Sequence, residues 1–277
     1  MFLIEILKAI AQGIVEGITE WLPVSSTGHI LLLDAVWKMN ATEAFFDVFK
    51  VVIQLGAIFA VVLLYWQKLN PFSLKKSQEE KKSTWVLWSK VLVASIPAAI
   101  AGLALDDLID GVLSTPVVIA AALIVYGIAF IVMESRHHQT KVETVEDITY
   151  KHAFGIGAFQ MLALIPGTSR SGSTILGASL LGTSRTAAAE FSFFMAIPVM
   201  LGASGLKLVK ALFLDNVSFS AEEWMLLAIA TVVSFLVSLL VIRGLMAFIK
   251  KHSFKPFGWY RIVLGAVVLG CVAMNWL

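Results

Sequence analysis

Three ionisable side chains, Glu16, Glu20 and Arg170, lie in stretches of the sequence that are otherwise apolar. Glu16 and Glu20 are four residues apart, so they share one face of a helix. Arg170 carries a planar fork of N–H donors that matches phosphate oxygens. Two carboxylates beside a phosphate repel it unless a divalent cation, Mg²⁺ or Ca²⁺, bridges them or one carboxyl is protonated and acts as an acid. The residues predict an anion site with chemistry on phosphorus, and both alternatives stay open.

Turns rich in hydroxyl groups follow a proline in each of these regions. The hydroxyls are Ser25, Ser26 and Thr27 after Pro23, and Ser169, Ser171 and Thr174 after Pro166. One hydroxyl in each turn is expected to cap the next helix, and capping alone would be a structural role. A helix N-terminus also offers free N–H groups and about half a positive charge, so two such ends facing each other favour an anion.

His29 is the histidine that lies in one of these turns, close in sequence to Ser26 and the two glutamates. A neutral imidazole can attack phosphorus or carry a proton to a leaving oxygen. A capping or packing role is the structural alternative. The candidates for the nucleophile are therefore His29, Ser26 and water.

The composition places these groups in a membrane protein. Of the 277 residues, 58% are hydrophobic and only 14% are charged, whereas soluble domains carry about 25% charged residues. The net charge of +2 argues against a nucleic-acid binder, and the single cysteine argues against a disulfide scaffold. A disordered chain is excluded by the same apolar content.

Six stretches are long and apolar enough to cross a bilayer, which takes roughly 20 residues each. They are residues 44–67, 86–105, 115–134, 187–209, 223–243 and 257–276. Two further regions, 2–38 and 152–183, are interrupted by Pro, Gly, Ser and Thr. Because non-helical backbone needs protein or water around it at membrane depth, we interpret them as re-entrant helical hairpins. The predicted fold is an all-α membrane protein with six transmembrane helices and two hairpins.

The distribution of charge predicts the orientation. The connections after the first, third and fifth spans each hold three or more lysines and arginines, whereas those around 106–110 and 215–223 are acidic and hold none. The positive-inside rule therefore places the basic side in the cytoplasm and both termini outside. The 68–84 segment is predicted to be a solvated cytoplasmic loop.

The two halves resemble each other. Residues 1–135 and 150–277 each contain one broken hairpin followed by three spans, at an offset of about 146 residues. Three is an odd number, so the second copy must be inverted relative to the first. Inverted repeats place a site near the midplane of a single membrane domain, where the half-helix ends converge.

Two strings carry a family resemblance. They are Glu16-Gly-Ile-Thr-Glu-Trp-Leu-Pro-Val-Ser-Ser-Thr-Gly-His29 and Pro166-Gly-Thr-Ser-Arg-Ser-Gly-Ser-Thr174. Both resemble the signature motifs of the integral-membrane undecaprenyl-diphosphate phosphatases, the bacitracin-resistance family, and the resemblance covers essentially the whole chain.

The resemblance implies hydrolysis of undecaprenyl diphosphate, a polyprenyl diphosphate lipid, to the monophosphate and inorganic phosphate in the bacterial plasma membrane. This reaction recycles the lipid carrier for peptidoglycan. It also implies essential roles for Glu16, Glu20, Ser26, His29 and Arg170, a site open to the outer face, and dependence on a divalent cation that would be bound by Glu16 and Glu20.

Two other functions remain alternatives. Inverted repeats around a midplane site are also typical of secondary transporters, so a flippase for polyprenyl phosphate would use the same anion site. An ion channel is less well supported, because a channel does not need nucleophile-like groups beside a cationic clamp. Membrane lipids are expected partners, and a homodimer is an arrangement that the sequence leaves open.

Overall fold

The computed structural model describes residues 2–108, 113, 115–136, 140–274 and 276, and leaves out the side chains of 106–108. The described residues are helical, with one isolated bridge between Val142 and Thr183 and no longer strand. The α-helices are α1 (Phe2–Thr19), α2 (Ser26–Val36), α3 (Glu43–Val52), α4 (Gln54–Leu64), α5 (Trp66–Leu69), α6 (Gln78–Leu108), α7 (Pro116–Ser135), α8 (Tyr150–Met161), α9 (Arg170–Leu180), α10 (Arg185–Val209), α11 (Ala221–Ile249) and α12 (Lys255–Ala273).

Six helical segments of the described chain are long and apolar enough to cross a membrane, which confirms the predicted number. They are Glu43–Leu64, Gln78–Leu105, Pro116–Ser135, Arg185–Leu214, Ala221–Ile249 and Lys255–Ala273. The first combines α3 and α4, and the fourth continues α10 through a π-helical turn at Lys210–Leu214. Each of the six overlaps a predicted span.

The segment after α5 is more ordered than the predicted solvated loop. Helix α6 begins at Gln78 rather than at 86, because Ser77 and Glu80 cap its first turn reciprocally, each side chain accepting from the other's backbone N–H. Such a capping box satisfies two N–H groups that would otherwise lack partners. The acidic connection predicted around 106–110 lies outside the side chains that the structure describes.

The two regions predicted to be broken are broken in the structure. A turn over residues 20–25 separates α1 from α2, and a short 3₁₀ turn at Leu162–Leu164 followed by residues 165–169 separates α8 from α9. Helix α1 packs against α11, whereas α8 packs against α6. A Cβ atom added at Gly13 or Gly157 would collide with the carbonyl of Ala230 or of Ala94, so glycine permits both close contacts.

The remaining spans enclose these segments. Helices α7 and α12 form an extensive pair, and α4 packs against both α10 and α11. Fully buried aromatic side chains, among them Trp21, Phe193 and Phe194, fill the space between them. The turns that carry the predicted site residues are therefore surrounded by helices.

Candidate functional site

Two helices of the site begin in the same unusual way. Ser25 caps α2 at φ 76° and Ser169 caps α9 at φ 75°. Each hydroxyl accepts from a glycine backbone N–H three residues on, Gly28 at 3.4 Å and Gly172 at 3.1 Å. A non-glycine residue with positive φ costs free energy, and such strain is concentrated at functional sites. The first N–H groups of a helix have no carbonyl partner within it, so those of α2 and α9 that the caps do not use are available as donors.

Glu20 joins the two turns. One carboxylate oxygen, Oε2, accepts from Ser26 Oγ at 2.9 Å. The other, Oε1, accepts from Arg170 Nε at 3.2 Å and Nη2 at 3.0 Å. Only 5% of the Glu20 side chain and 10% of the Arg170 side chain are exposed, so this is a buried ion pair between the first and second turns.

Arg170 is held from its other side by α10. Its Nη1 donates to the Ser192 carbonyl at 2.8 Å and to Ser192 Oγ at 3.2 Å. Thr174 Oγ1 lies 2.6 Å from Ser192 Oγ and also bonds the Arg170 carbonyl. The guanidinium lies over the ring of Trp21, 5.8 Å from its centroid. These contacts fix the plane of the guanidinium.

Ser171 also ties the turns together. Its Oγ lies within hydrogen-bond distance of the carbonyls of Glu20, at 3.0 Å, and Leu22, at 3.2 Å, and it lies 3.1 Å from Ser169 Oγ. A hydroxyl has one proton, so Ser171 donates to one of these carbonyls or shares the proton between them, and in both cases it joins the turns.

Arg261 is a second cation at the junction, and none of its side chain is exposed. Its Nη1 donates to the Pro23 carbonyl at 3.0 Å, and its Nη2 donates to the carbonyls of Gly167 and Thr168, both at 2.9 Å. One guanidinium from α12 therefore binds the backbone of both turns. No salt bridge joins it to a carboxylate of the described residues, so the buried charge adds to the positive potential of the site.

His29 points to α12. Its Nδ1 lies 2.7 Å from the Ser25 carbonyl and its Nε2 lies 2.7 Å from the Tyr260 hydroxyl, with the two rings stacked. Because a carbonyl only accepts, Nδ1 carries the proton. In the neutral ring Nε2 then has the free electron pair and accepts from Tyr260.

Glu16 is fully buried, and neither of its carboxyl oxygens has a hydrogen-bond partner among the described residues. Gln12 Oε1, one helical turn earlier, and both amide atoms of Gln160 share this property. Leaving a buried polar group without a partner costs about 1–3 kcal/mol. These atoms are the ones that a proton, a cation or a polar ligand would satisfy.

The turns bring most of the predicted site residues together. Glu20, Ser26, Arg170, Ser171 and Thr174 form one hydrogen-bonded network. Ser25 and Ser169 cap the helices, and His29 lies on the side that faces Tyr260. Thr27 is exposed in the first turn of α2.

Three functional candidates were missed by the sequence analysis: Arg261, Tyr260 and Ser192. Arg261 did carry a signal, since it is a charge within the last apolar span, and such residues are functional by default. Ser192 and Tyr260 carried none, because hydroxyl groups are common in membrane helices and only the packing of α10 and α12 against the turns selects these two.

The fold and the site define a class: a multi-pass helical membrane protein with a buried junction of two helix N-termini and two arginines. Comparison with known proteins identifies the family. The model of the bacitracin resistance protein BacA family matches residues 9–267, and the chain belongs to this family.

Individual relatives are similar over nearly their whole length. An undecaprenyl-diphosphatase of Enterococcus faecalis is 54% identical over 272 residues, covering 98% of both chains. Undecaprenyl-diphosphatase 1 of Clostridioides difficile is 55% identical over 267 residues, covering 96% of both. An undecaprenyl-diphosphatase of Lactiplantibacillus plantarum is 55% identical over 270 residues, covering 97% of this chain and 98% of its own.

Proposed function

We propose that this protein hydrolyses undecaprenyl diphosphate to undecaprenyl phosphate and inorganic phosphate, and so recycles the lipid carrier of cell-wall synthesis. One observation carries the proposal: Glu20 bonds the Ser26 hydroxyl with one oxygen and the Arg170 guanidinium with the other. This arrangement supports a nucleophile, a base and an anion clamp as the roles of Ser26, Glu20 and Arg170 at the junction of two helix N-termini. The names of the relatives agree with this chemistry.

The diphosphate would bind between the first turns of α2 and α9. Each N-terminus contributes about half a positive charge, and Arg170 offers donors that match phosphate oxygens. Because Arg170 is paired with Glu20 in this structure, an incoming phosphate would compete for the guanidinium. Such a fixed set of donors stabilises the charge that the terminal phosphoryl group spreads over its oxygens in the transition state.

Ser26 is the nucleophile that the geometry favours. Its Oγ would attack the terminal phosphorus while Glu20, released from Arg170, accepts the hydroxyl proton. The bond to the bridging oxygen breaks, and undecaprenyl phosphate leaves. Water then attacks the phosphoserine and releases inorganic phosphate. His29 as nucleophile, or as base for Ser26, requires its Nε2 to leave Tyr260, and direct attack by water remains the third route.

A divalent cation, Mg²⁺ or Ca²⁺, is proposed as the cofactor, with Glu16 as its first ligand. The two oxygens of Glu16 are buried without partners, whereas both oxygens of Glu20 are engaged, so Glu16 fits a cation better in this structure. Mg²⁺ commonly combines one or two carboxylates with substrate phosphates. When bound, it would neutralise phosphate charge; Glu20 would join it only after release from Arg170.

We further infer two oppositely oriented re-entrant hairpins within an inverted repeat. Three observations support this: equivalent serines cap α2 and α9 at nearly equal positive φ, α1 and α8 pack against the fifth and second spans, and Gly13 and Gly157 permit these contacts. An exchange of partners between halves is the pattern of a twofold axis. External termini follow from the charge distribution, and a site open to the outer face is what the family resemblance implies.

Phosphate release from C55 diphosphate by the purified chain in detergent tests the function. We expect turnover by the natural protein, and a loss of about 10²–10⁴-fold in kcat for Glu20→Gln and Ser26→Ala. The exposed Ser218→Ala, in the connection before α11, is the control and should retain activity. A chelator should abolish turnover, and added Mg²⁺ or Ca²⁺ should restore it.

The same assay separates the enzyme from a transporter, because detergent removes the two sides that transport requires. No phosphate release by a folded protein would overturn the proposed hydrolysis.

Rapid quenching with substrate labelled in the terminal phosphate identifies the nucleophile. Label on residue 26 supports Ser26, label on residue 29 supports His29, and no label on either supports water.

A further inference from the structure

Hydrolysis through a phosphoserine needs two proton acceptors, one for each step. In the first step Glu20 takes the proton of Ser26, to which it is hydrogen-bonded at 2.9 Å. In the second step Glu20 returns this proton to the Ser26 oxygen as the bond to phosphorus breaks. Glu20 therefore cannot also accept the proton of the attacking water, which approaches phosphorus from the side opposite Ser26. A second acceptor has to lie near Ser26 and reach further from α2.

His29 is the basic side chain of α2. It follows Ser26 by three residues, so the two side chains lie on the same face of the helix, with about 5–6 Å between their Cβ atoms. Nδ1 of His29 donates its proton to the Ser25 carbonyl at 2.7 Å, so the free electron pair is on Nε2. In this structure the electron pair is not open to water, because the Tyr260 hydroxyl lies 2.7 Å from Nε2.

Tyr260 is fixed beside the site by its neighbour in α12. Arg261 donates to the carbonyls of Pro23 and Gly167, one in each turn, and so holds this part of α12 against both. The Tyr260 ring stacks on the His29 ring, with 5.6 Å between the centroids and 3° between the planes. Only one imidazole and two hydrogen bonds separate the phenol oxygen from the backbone next to the nucleophile.

The Tyr260 hydroxyl can donate one proton and accept another. A phenol has one O–H donor and electron pairs that accept, and here it donates to Nε2 of His29. No other side chain or N–H of the described residues is bonded to the phenol oxygen, and Tyr260 is 48% exposed. Its electron pairs are therefore free to accept from water. In this arrangement Nε2 receives a proton without leaving Tyr260.

We propose that Tyr260 is a further catalytic residue, which carries the proton of the attacking water to His29 during hydrolysis of the phosphoserine. The water gives a proton to the phenol oxygen while the phenol gives its own proton to Nε2, and the hydroxide so formed attacks phosphorus. The bond from phosphorus to the Ser26 oxygen breaks, and this oxygen recovers its proton from Glu20. Inorganic phosphate leaves, and the imidazolium releases its extra proton to solvent. This inference rests on the proposed hydrolysis and concerns its second step.

Rapid-quench kinetics of the whole chain in detergent, with C55 diphosphate labelled in the terminal phosphate, test the relay. The variants are His29→Gln, Tyr260→Phe, which keeps the ring and removes the hydroxyl, and the two combined. The matched control is Tyr150→Phe, because Tyr150 is 49% exposed and its hydroxyl also makes one bond of 2.7 Å, to Ser89 Oγ. Thermal unfolding in detergent checks that each variant is folded.

For Tyr260→Phe we expect kcat to fall about 10²-fold, while residue 26 is labelled as fast as in the natural protein. Label on residue 26 should therefore accumulate, because only its hydrolysis is slowed, and His29→Gln should accumulate it in the same way. The double variant should be no slower than His29→Gln alone, since residues that act as a unit are not additive. Tyr150→Phe should behave as the natural protein does.

Several results would overturn the relay and leave the hydrolysis in place. They are an unchanged kcat in Tyr260→Phe, slower labelling of residue 26, an equal loss in Tyr150→Phe, and losses that multiply in the double variant. Label on residue 29, or on neither residue in any variant, also overturns the relay, because a phosphoserine is then not the intermediate. If the natural protein releases no phosphate, the proposed hydrolysis fails and the relay fails with it.

Discussion

Glu20 and Arg261 hold the two turns together in different ways. Glu20 uses its carboxylate to join Ser26 of the first turn to Arg170 of the second, and phosphate would break this link. Arg261 donates to backbone carbonyls alone, those of Pro23, Gly167 and Thr168 in the turns and of Leu123 in α7, and the substrate has no group that replaces a donor. We therefore infer that Arg261 is a positioning residue that keeps the turns together while Arg170 changes partners.

Replacing Arg261 tests this role. Arg261→Met leaves several buried carbonyls without a donor, so the free energy of unfolding should fall by roughly 3 kcal/mol. Arg261→Lys keeps the charge but cannot reach both turns with one fork, so it should fold while KM rises more than kcat falls. Thermal unfolding in detergent and steady-state kinetics measure both effects.

The control for this prediction is Arg243→Met, which removes an exposed arginine from another membrane span. It should change neither stability nor KM appreciably. If Arg243→Met and Arg261→Met have the same effects, or if Arg261→Lys lowers kcat alone, Arg261 does not position the turns for binding.

At the scale of elements, α2 and α9 begin at serines in a backbone conformation that glycine adopts more readily. The cap hydroxyl and the strained φ act in opposite directions on stability. Keeping serine at such a position is explained if the hydroxyl and the first-turn N–H groups are needed in this orientation for the ligand.

Glycine and alanine variants of Ser169 separate these effects. Ser169→Ala loses the cap and keeps the strain, whereas Ser169→Gly loses the cap and relieves the strain. The glycine variant should therefore be more stable by about 1–2 kcal/mol in addition to the ordinary preference for glycine at a cap. Thr149, which caps α8 at φ −83°, is the matched site without strain. Thermal unfolding in detergent measures the alanine and glycine variants at both sites. If the stability difference between glycine and alanine is the same at Ser169 and at Thr149, the strain argument is contradicted.

The elements were predicted more fully than the contacts between them. Apolar length alone predicted the six spans, and Pro23 and Pro166 marked the two breaks. The choice of Ser25 over Ser26 as the cap could not be predicted, because both hydroxyls suit the position and Glu20 decides by accepting from Ser26. Tyr260 lies 231 residues from His29, and nothing local to either position indicates that they meet.

At the scale of the whole molecule, the orientation decides which solvent reaches each site. The 68–82 segment carries five lysines, whereas the connection before α11 carries Asp215 and two glutamates and no lysine or arginine from 215 to 223. Positively charged connections are retained on the cytoplasmic side. The basic connections would then face the cytoplasm, with both termini on the outer side.

Labelling of single cysteines in intact bacteria tests this orientation. In a Cys271→Ser background, Ser218→Cys and Lys75→Cys each place a thiol at an exposed position, in the acidic and in the basic connection respectively. A membrane-impermeant maleimide should label Ser218→Cys in intact cells and Lys75→Cys only after permeabilisation. The reverse pattern would invert the topology and place the basic connections outside. Labelling of both thiols from outside would contradict an odd number of membrane crossings between these two connections, and with it the six-span arrangement that makes the two halves inverted copies.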